Sequence, residues 1–317
     1  MSNETVNPID DVDITLKAGD FRLTVAPWGA SLRGLSRVNE AGDVEIVTEY
    51  RGAPNKIAGQ GDVLIPFPGR INGARYKFAG HEHHLTRNDK ETPSAIHGFL
   101  RGVMWDVIAQ TDSEITFRTQ IDEAEYKEKG YPFSLDVKVT YRATESGMEC
   151  DFAIANTGTT AAPVAAGFHP YFTVGSEHVD ADTLHVPFNS YLDFIDLIPT
   201  GKVLPVDGDP VDFRSARLLG STALNTCYLN PVRDADGMVR ISLSNSHNGR
   251  RVTVWMDENI NYAVLYSGDP LPEDLRRRSL AVEPMTCGSD AFNHPEWGLV
   301  SLAAGDVTRG SWGVVVK

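Results

Sequence analysis

Phe133-Ser134-Leu135-Asp136-Val137-Lys138-Val139-Thr140-Tyr141-Arg142 is the stretch that decides the fold. Phe133, Leu135, Val137, Val139 and Tyr141 alternate with polar or charged residues. Successive side chains of an extended chain point to opposite faces. A period of two therefore predicts an antiparallel strand with one face on a core and the other in water. Downstream, Met148, Cys150, Phe152 and Ile154 repeat the pattern, which ends at Asn156-Thr157-Gly158. Upstream, 13–17 and 21–25 alternate in the same way, and Trp28-Gly29-Ala30-Ser31-Leu32 reads as a turn into a third strand. Further strands are expected at 105–110, 114–120, 239–244, 251–256, 261–267, 279–283 and 311–317, separated by turns rich in Gly, Asn, Asp and Pro. Only 122–129 and 272–278 read as short helices. The expected fold is all-β, a large antiparallel β-sandwich.

The 317 residues carry a net charge of −14, with 41% hydrophobic and 23% charged residues. That composition excludes wholesale disorder. The negative charge repels phosphate backbones and anionic membranes, so neither nucleic acid nor membrane is an expected partner. Residues 1–11 read as a flexible tail. No composition shift divides the remainder, so 12–317 reads as a single domain. The N-terminus has no basic region followed by an apolar run, which argues against a signal peptide. Cys150, Cys227 and Cys287 are widely spaced and odd in number, which favours a reducing cytoplasm over a disulfide framework. The uncharged segment 156–176 contains Pro163, Gly167 and Pro170 and does not read as a membrane span.

Three stretches carry candidate chemistry. Gly167-Phe168-His169-Pro170-Tyr171-Phe172 sets an imidazole among aromatic rings. Pro170 pushes His169 toward an extended backbone, and an imidazole held there can exchange a proton near neutral pH. A core histidine bonded to backbone is an equally good reading of the hexapeptide alone. Ile65-Pro66-Phe67-Pro68-Gly69-Arg70-Ile71 reads as a rigid non-strand segment projecting Arg70, whose five donors suit hydroxyl or carboxylate oxygens. A surface ion pair is the alternative. Leu280-Ala281-Val282-Glu283-Pro284-Met285 reads as a buried strand with one carboxylate. Burial raises a glutamate's pKa and makes it a better base near neutrality; a structural salt bridge is the alternative. His97 precedes Gly98, a pairing that leaves room for a ligand beside the ring, though a capped loop histidine fits equally. His81-Glu82-His83-His84 allows a metal-dependent, cupin-like reading, but an exposed hairpin suits it better. Arg276-Arg277-Arg278 reads as a solvated helix end.

Taken in order, these stretches resemble the aldose 1-epimerase (galactose mutarotase) family, most closely its bacterial branch with the Glu-Pro-Met motif. The matching residues are Trp28-Gly29-Ala30, Pro66 to Ile71 with Gly73, Tyr76 and Gly80, Asn88, Ile96-His97-Gly98 with Trp105, the His169 hexapeptide, and Glu283-Pro284-Met285 with Asp290, Ala291 and Asn293. The resemblance implies a β-sandwich, no cofactor, and interconversion of the α and β anomers of a free sugar. It implies Glu283 as base and His169 as acid, with Arg70, His97, Asn88 and Asn225 binding substrate. Family members usually carry an aspartate where this chain has Asn225, before Tyr228, which bears on sugar preference; Asp257 is the less well aligned alternative. Phe168, Tyr171, Phe172 and Trp105 are candidates for an apolar platform under the sugar. The expected partner is a small sugar, and the expected protein is a monomer or homodimer. Two rivals remain: a hexose-6-phosphate 1-epimerase using Arg75, Arg87, Lys90 and Arg101, and a non-catalytic sugar-binding protein.

Overall fold

The strand expected over 133–142 forms at Leu135–Thr144 and pairs on both edges, with Glu114–Ile121 and with Gly147–Asn156. Its buried residues alternate with half-buried ones and the exposed Lys138, as the sequence pattern requires. The computed structural model of the chain describes residues 12–40 and 42–317; the expected tail, 1–11, lies outside them. Among the described residues, this strand belongs to a nine-stranded sheet, and a ten-stranded sheet forms the other large layer. Leu23, Val25, Phe172, Leu280 and Val282 from the larger sheet share one core with Val137, Phe152, Val254 and Trp312 from the smaller. This is the antiparallel β-sandwich that alternation predicts.

Leu280–Met285 is buried at every position. Val282 faces the shared core, whereas Met285 packs with Leu192, Cys227, Tyr262 and Trp297 on the opposite face. A strand covered on both faces reads as a continuous apolar run rather than an alternating one.

The first expected helix forms as Glu123–Tyr126 followed by a 3-10 turn at Lys127–Lys129, with the Asp122 carboxylate accepting from the Ala124 N–H at 2.8 Å as an N-cap. The second does not form. Residues 272–278 make turns, and Arg277 takes a left-handed backbone at φ 56. Nor is Arg277 a solvated helix end. Its side chain is buried and donates to Asp180 and Asp269, each at 2.9 Å, and to the Thr222 and Gly220 carbonyls. Those four acceptors stabilise the turn conformation that stands in place of a helix. Residues 81–84 form a hairpin with Arg75–Phe78 and are largely exposed, with His83 stacked on Tyr76 at 4.8 Å. Among the described residues, no helix is long and apolar enough to cross a membrane.

Candidate active site

The sheet register brings the candidate residues together. Tyr171 pairs with Ala281 and Gly167 bridges Met285, a register that sets His169 opposite Glu283. Glu283 pairs with Val264, and Val264 with Cys227. The next row runs Tyr171, Ala281, Tyr266 and Asn225. Directly opposed residues project to the same face of a sheet, so these two rows floor one cavity. It measures about 440 Å³ and is lined by Arg70, Asn88, His97, His169, Asn225 and Glu283, among others. The volume falls within the range of small-molecule sites.

Glu283 is 3% exposed, and its Oε1 lies 3.3 Å from His169 Nε2. Burial drives the two groups in opposite directions. It pushes the Glu283 carboxyl well above the ordinary carboxylate range and pulls the His169 imidazole down to about 3, because each charged form loses its hydration. At this contact the two titrate as one unit. A neutral acid beside a neutral imidazole holds the same number of protons as a carboxylate beside an imidazolium. The two arrangements differ only by transfer of one proton between facing atoms.

The imidazole is held from several sides. His169 N–H donates to the Asp62 carbonyl at 3.0 Å, and its own carbonyl accepts from Gly61 N–H at 2.9 Å. Tyr171 stacks on the ring at 5.1 Å and anchors its hydroxyl on the Ala58 carbonyl at 2.8 Å. Gly59, at φ +77, passes so close that a Cβ there would sit 3.1 Å from His169 Cδ2.

His97 meets His169 edge-on at 5.6 Å. Its Nδ1 accepts from Gly69 N–H at 3.2 Å, which places the ring hydrogen of the neutral form on Nε2. Burial lowers its pKa well below the ordinary value. Gly98 does not serve to leave ligand room. A Cβ there would lie 2.1 Å from the Ile65 carbonyl oxygen, so close backbone approach requires the glycine.

Arg70 follows the non-strand segment 65–69 and starts the short strand Arg70–Ile71. Its guanidinium donates from Nε to Asp89 at 2.8 Å and from Nη2 to Glu91 at 2.7 Å. Asn88 lines the cavity, but its amide clamps Ile96, accepting from its N–H at 2.7 Å and donating to its carbonyl at 3.0 Å. Asn225 is exposed at the start of its strand, on the cavity side. Asp257 lies elsewhere, just past the strand Arg251–Met256 of the other sheet, accepting from the backbone of Asn259 and Ser311.

Of the four aromatics expected under a sugar, only Tyr171 lines the cavity. Phe168, Phe172 and Trp105 are buried in the shared core. Alternation carries the signal for this split. In an extended segment His169 and Tyr171 share one face, and Phe168 and Phe172 the other. Tyr266 and Phe194, not singled out from sequence, complete the aromatic lining. Of the basic residues considered for a phosphate, Lys90 and Arg101 line the cavity, whereas Arg75 and Arg87 do not.

Comparison with known proteins identifies the family and the fold. The family model for aldose 1-epimerase matches residues 12–313. Protein YihR of Escherichia coli K12 is 29% identical over 281 residues, covering 88% of this chain and 85% of that one. Human galactose mutarotase is 28% identical over 319 residues, covering 92% and 90%. The GalM/aldose epimerase homologue from C. elegans shares the fold with a TM-score of 0.85 at 19% identity, over 97% of this chain and 99% of that one. The chain therefore belongs to the aldose 1-epimerase family and has its mutarotase-like function.

Proposed function

We propose that this protein interconverts the α and β anomers of a free hexose by acid–base ring opening and reclosure, with Glu283 as base and His169 as acid. The observation that carries the reading is the buried carboxyl–imidazole contact of 3.3 Å on the cavity floor. In the closed sugar, the Glu283 carboxylate takes the proton of the anomeric hydroxyl. The O1 electron pair forms the carbonyl, the C1–O5 bond breaks, and the His169 imidazolium gives its proton to O5. Rotation about C1–C2 exposes the other carbonyl face. Reclosure then returns the O5 proton to His169 and the Glu283 proton to O1, so protons and charge balance over the cycle.

Burial favours the neutral acid and neutral imidazole, which is the distribution reached when the ring is open. The opposite distribution, needed to start, is held by mutual attraction. Two unit charges at the 3.3 Å separation gain roughly 5 kcal/mol at an effective dielectric near 20. That attraction offsets part of the cost of burying both charges, and each positioned group contributes on the order of 10²–10⁴-fold. Arg70, His97, Asn225 and Asn88 would contact or frame the sugar, and Tyr171 and Tyr266 would face its apolar C–H surface. We take residues 12–317 as one domain, supported by a core that draws side chains from Leu16 to Val314.

Lys90 and Arg101 on the lining favour a second reading, a hexose-6-phosphate 1-epimerase. The charge pairing weighs against it: Arg70 is held by Asp89 and Glu91, and Arg101 Nη1 lies 3.7 Å from the buried Asp62 carboxylate. A solitary binding role leaves the acid–base pair without a purpose. Polarimetry on fresh α-glucose and α-glucose 6-phosphate tests the choice. Faster conversion of the free sugar is expected; the reverse preference, or no acceleration of either, overturns the proposal.

A further inference from the structure

We propose that Glu91 is a specificity-determining residue: as the second carboxylate on Arg70, it keeps the Arg70 wall of the cavity electrically balanced and so disfavours sugars that carry an anionic group there. This inference rests on the free-sugar reading above.

Arg70 is already satisfied by Asp89. The Asp89 side chain is 5% exposed and takes hydrogen bonds from Arg70 Nε at 2.8 Å, Thr92 Oγ1 at 2.6 Å and Thr92 N–H at 3.2 Å. It is a fixed counter-ion. Glu91 differs from it in every respect. Its side chain is 60% exposed, and among the described residues its one hydrogen bond comes from Arg70 Nη2 at 2.7 Å. One guanidinium needs one carboxylate for neutrality, so Glu91 leaves local negative charge, which the neighbouring exposed Lys90 matches. Deeper in the cavity, Arg101 and Lys56 flank the buried Asp62. On the Arg70 wall, the two cations Arg70 and Lys90 are therefore matched by the two acids Asp89 and Glu91.

A phosphate or carboxylate approaching along this wall finds no uncompensated charge on Arg70. To reach Arg70 it must displace Glu91 or sit beside it, and like charges in an interface suppress the wrong partner. A neutral hydroxyl meets no such barrier. It can take hydrogen bonds from Arg70 Nη1, at which no hydrogen bond or ion pair is found among the described residues. Removing the Glu91 charge leaves Arg70 and Lys90 facing Asp89 alone and makes this wall net positive.

The test compares kcat/KM for α-glucose 6-phosphate and α-glucose in the wild type, Glu91→Gln and Glu91→Asp. Glu91 is exposed, so the substitutions act on charge rather than on folding. In Glu91→Gln the phosphorylated-to-free ratio is expected to rise by about fivefold or more, the factor for one unit charge at about 4 Å in water. Glu91→Asp should keep the wild-type ratio. The rise should shrink in 1 M salt, where screening acts within about 3 Å. A wild type active on glucose whose ratio does not change in Glu91→Gln overturns the inference alone. A wild type that accelerates neither sugar overturns the functional reading and this inference with it.

Discussion

Replacing His169 with asparagine removes the proton carrier while keeping a planar polar side chain in a site only 6% exposed. Two separate effects follow. In turnover, loss of a positioned acid lowers the rate by about 10²–10⁴-fold, equivalent to about 3–5 kcal/mol of barrier. In stability, the effect depends on pH, and its sign follows from the lowered imidazole pKa. An unfolded chain binds a proton on this histidine near 6.5, whereas the folded chain resists it down to about 3. Between those values the unfolded state holds more protons on this residue. The raised Glu283 carboxyl, present in wild type and variant alike, acts in the opposite sense, while the histidine's own contribution to stability falls as pH drops through the window. From pH 6.5 to 4.5 that amounts to about 3 kcal/mol at most, reduced by whatever attraction Glu283 offers the imidazolium. Asparagine does not titrate. The variant should therefore gain stability relative to the wild type as the pH falls, while losing most turnover at pH 7. Polarimetry on fresh α-glucose reads the first effect, and urea unfolding at pH 7 and pH 4.5 reads the second. Full turnover in the variant would make the histidine purely structural. Wild-type and variant stabilities that stay parallel with pH would show an imidazole titrating as in water.

Asn88→Ala should lose both hydrogen bonds to Ile96 and cost about 1–2 kcal/mol in thermal unfolding; it should also slow turnover, because Ile96 precedes His97. Arg277→Ala removes a buried cation from two carboxylates and two carbonyls and should cost about 2–4 kcal/mol in urea unfolding, the carboxylates Asp180 and Asp269 being partly solvated.

The strands were legible because a half-buried strand writes its burial locally, one residue in two. Leu135–Thr144 and Gly147–Asn156 show it at nearly every position. Glu283 stood out for the opposite reason, as a lone charge in a strand buried on both faces. What the sequence hid depends on contacts between distant segments. Arg277 looks like any surface arginine until Asp180, Asp269 and two carbonyls converge on it. Gly98 is explained only by the approach of Ile65, thirty-three positions away. Asn88 lines the cavity as expected, yet its amide holds a neighbouring backbone. The neutralising partners of Arg70 and Arg101 likewise come from loops whose paths no periodicity encodes.

In the proposed reaction a buried carboxyl and a buried imidazole exchange protons with one sugar ring. Glu283→Gln tests it most directly, because the amide keeps the shape and burial of the side chain but cannot accept the anomeric proton. Polarimetry on fresh α-glucose, with sugar binding followed by calorimetry, should give the uncatalysed rate alongside retained binding. A variant that interconverts the anomers at a near wild-type rate would contradict the account.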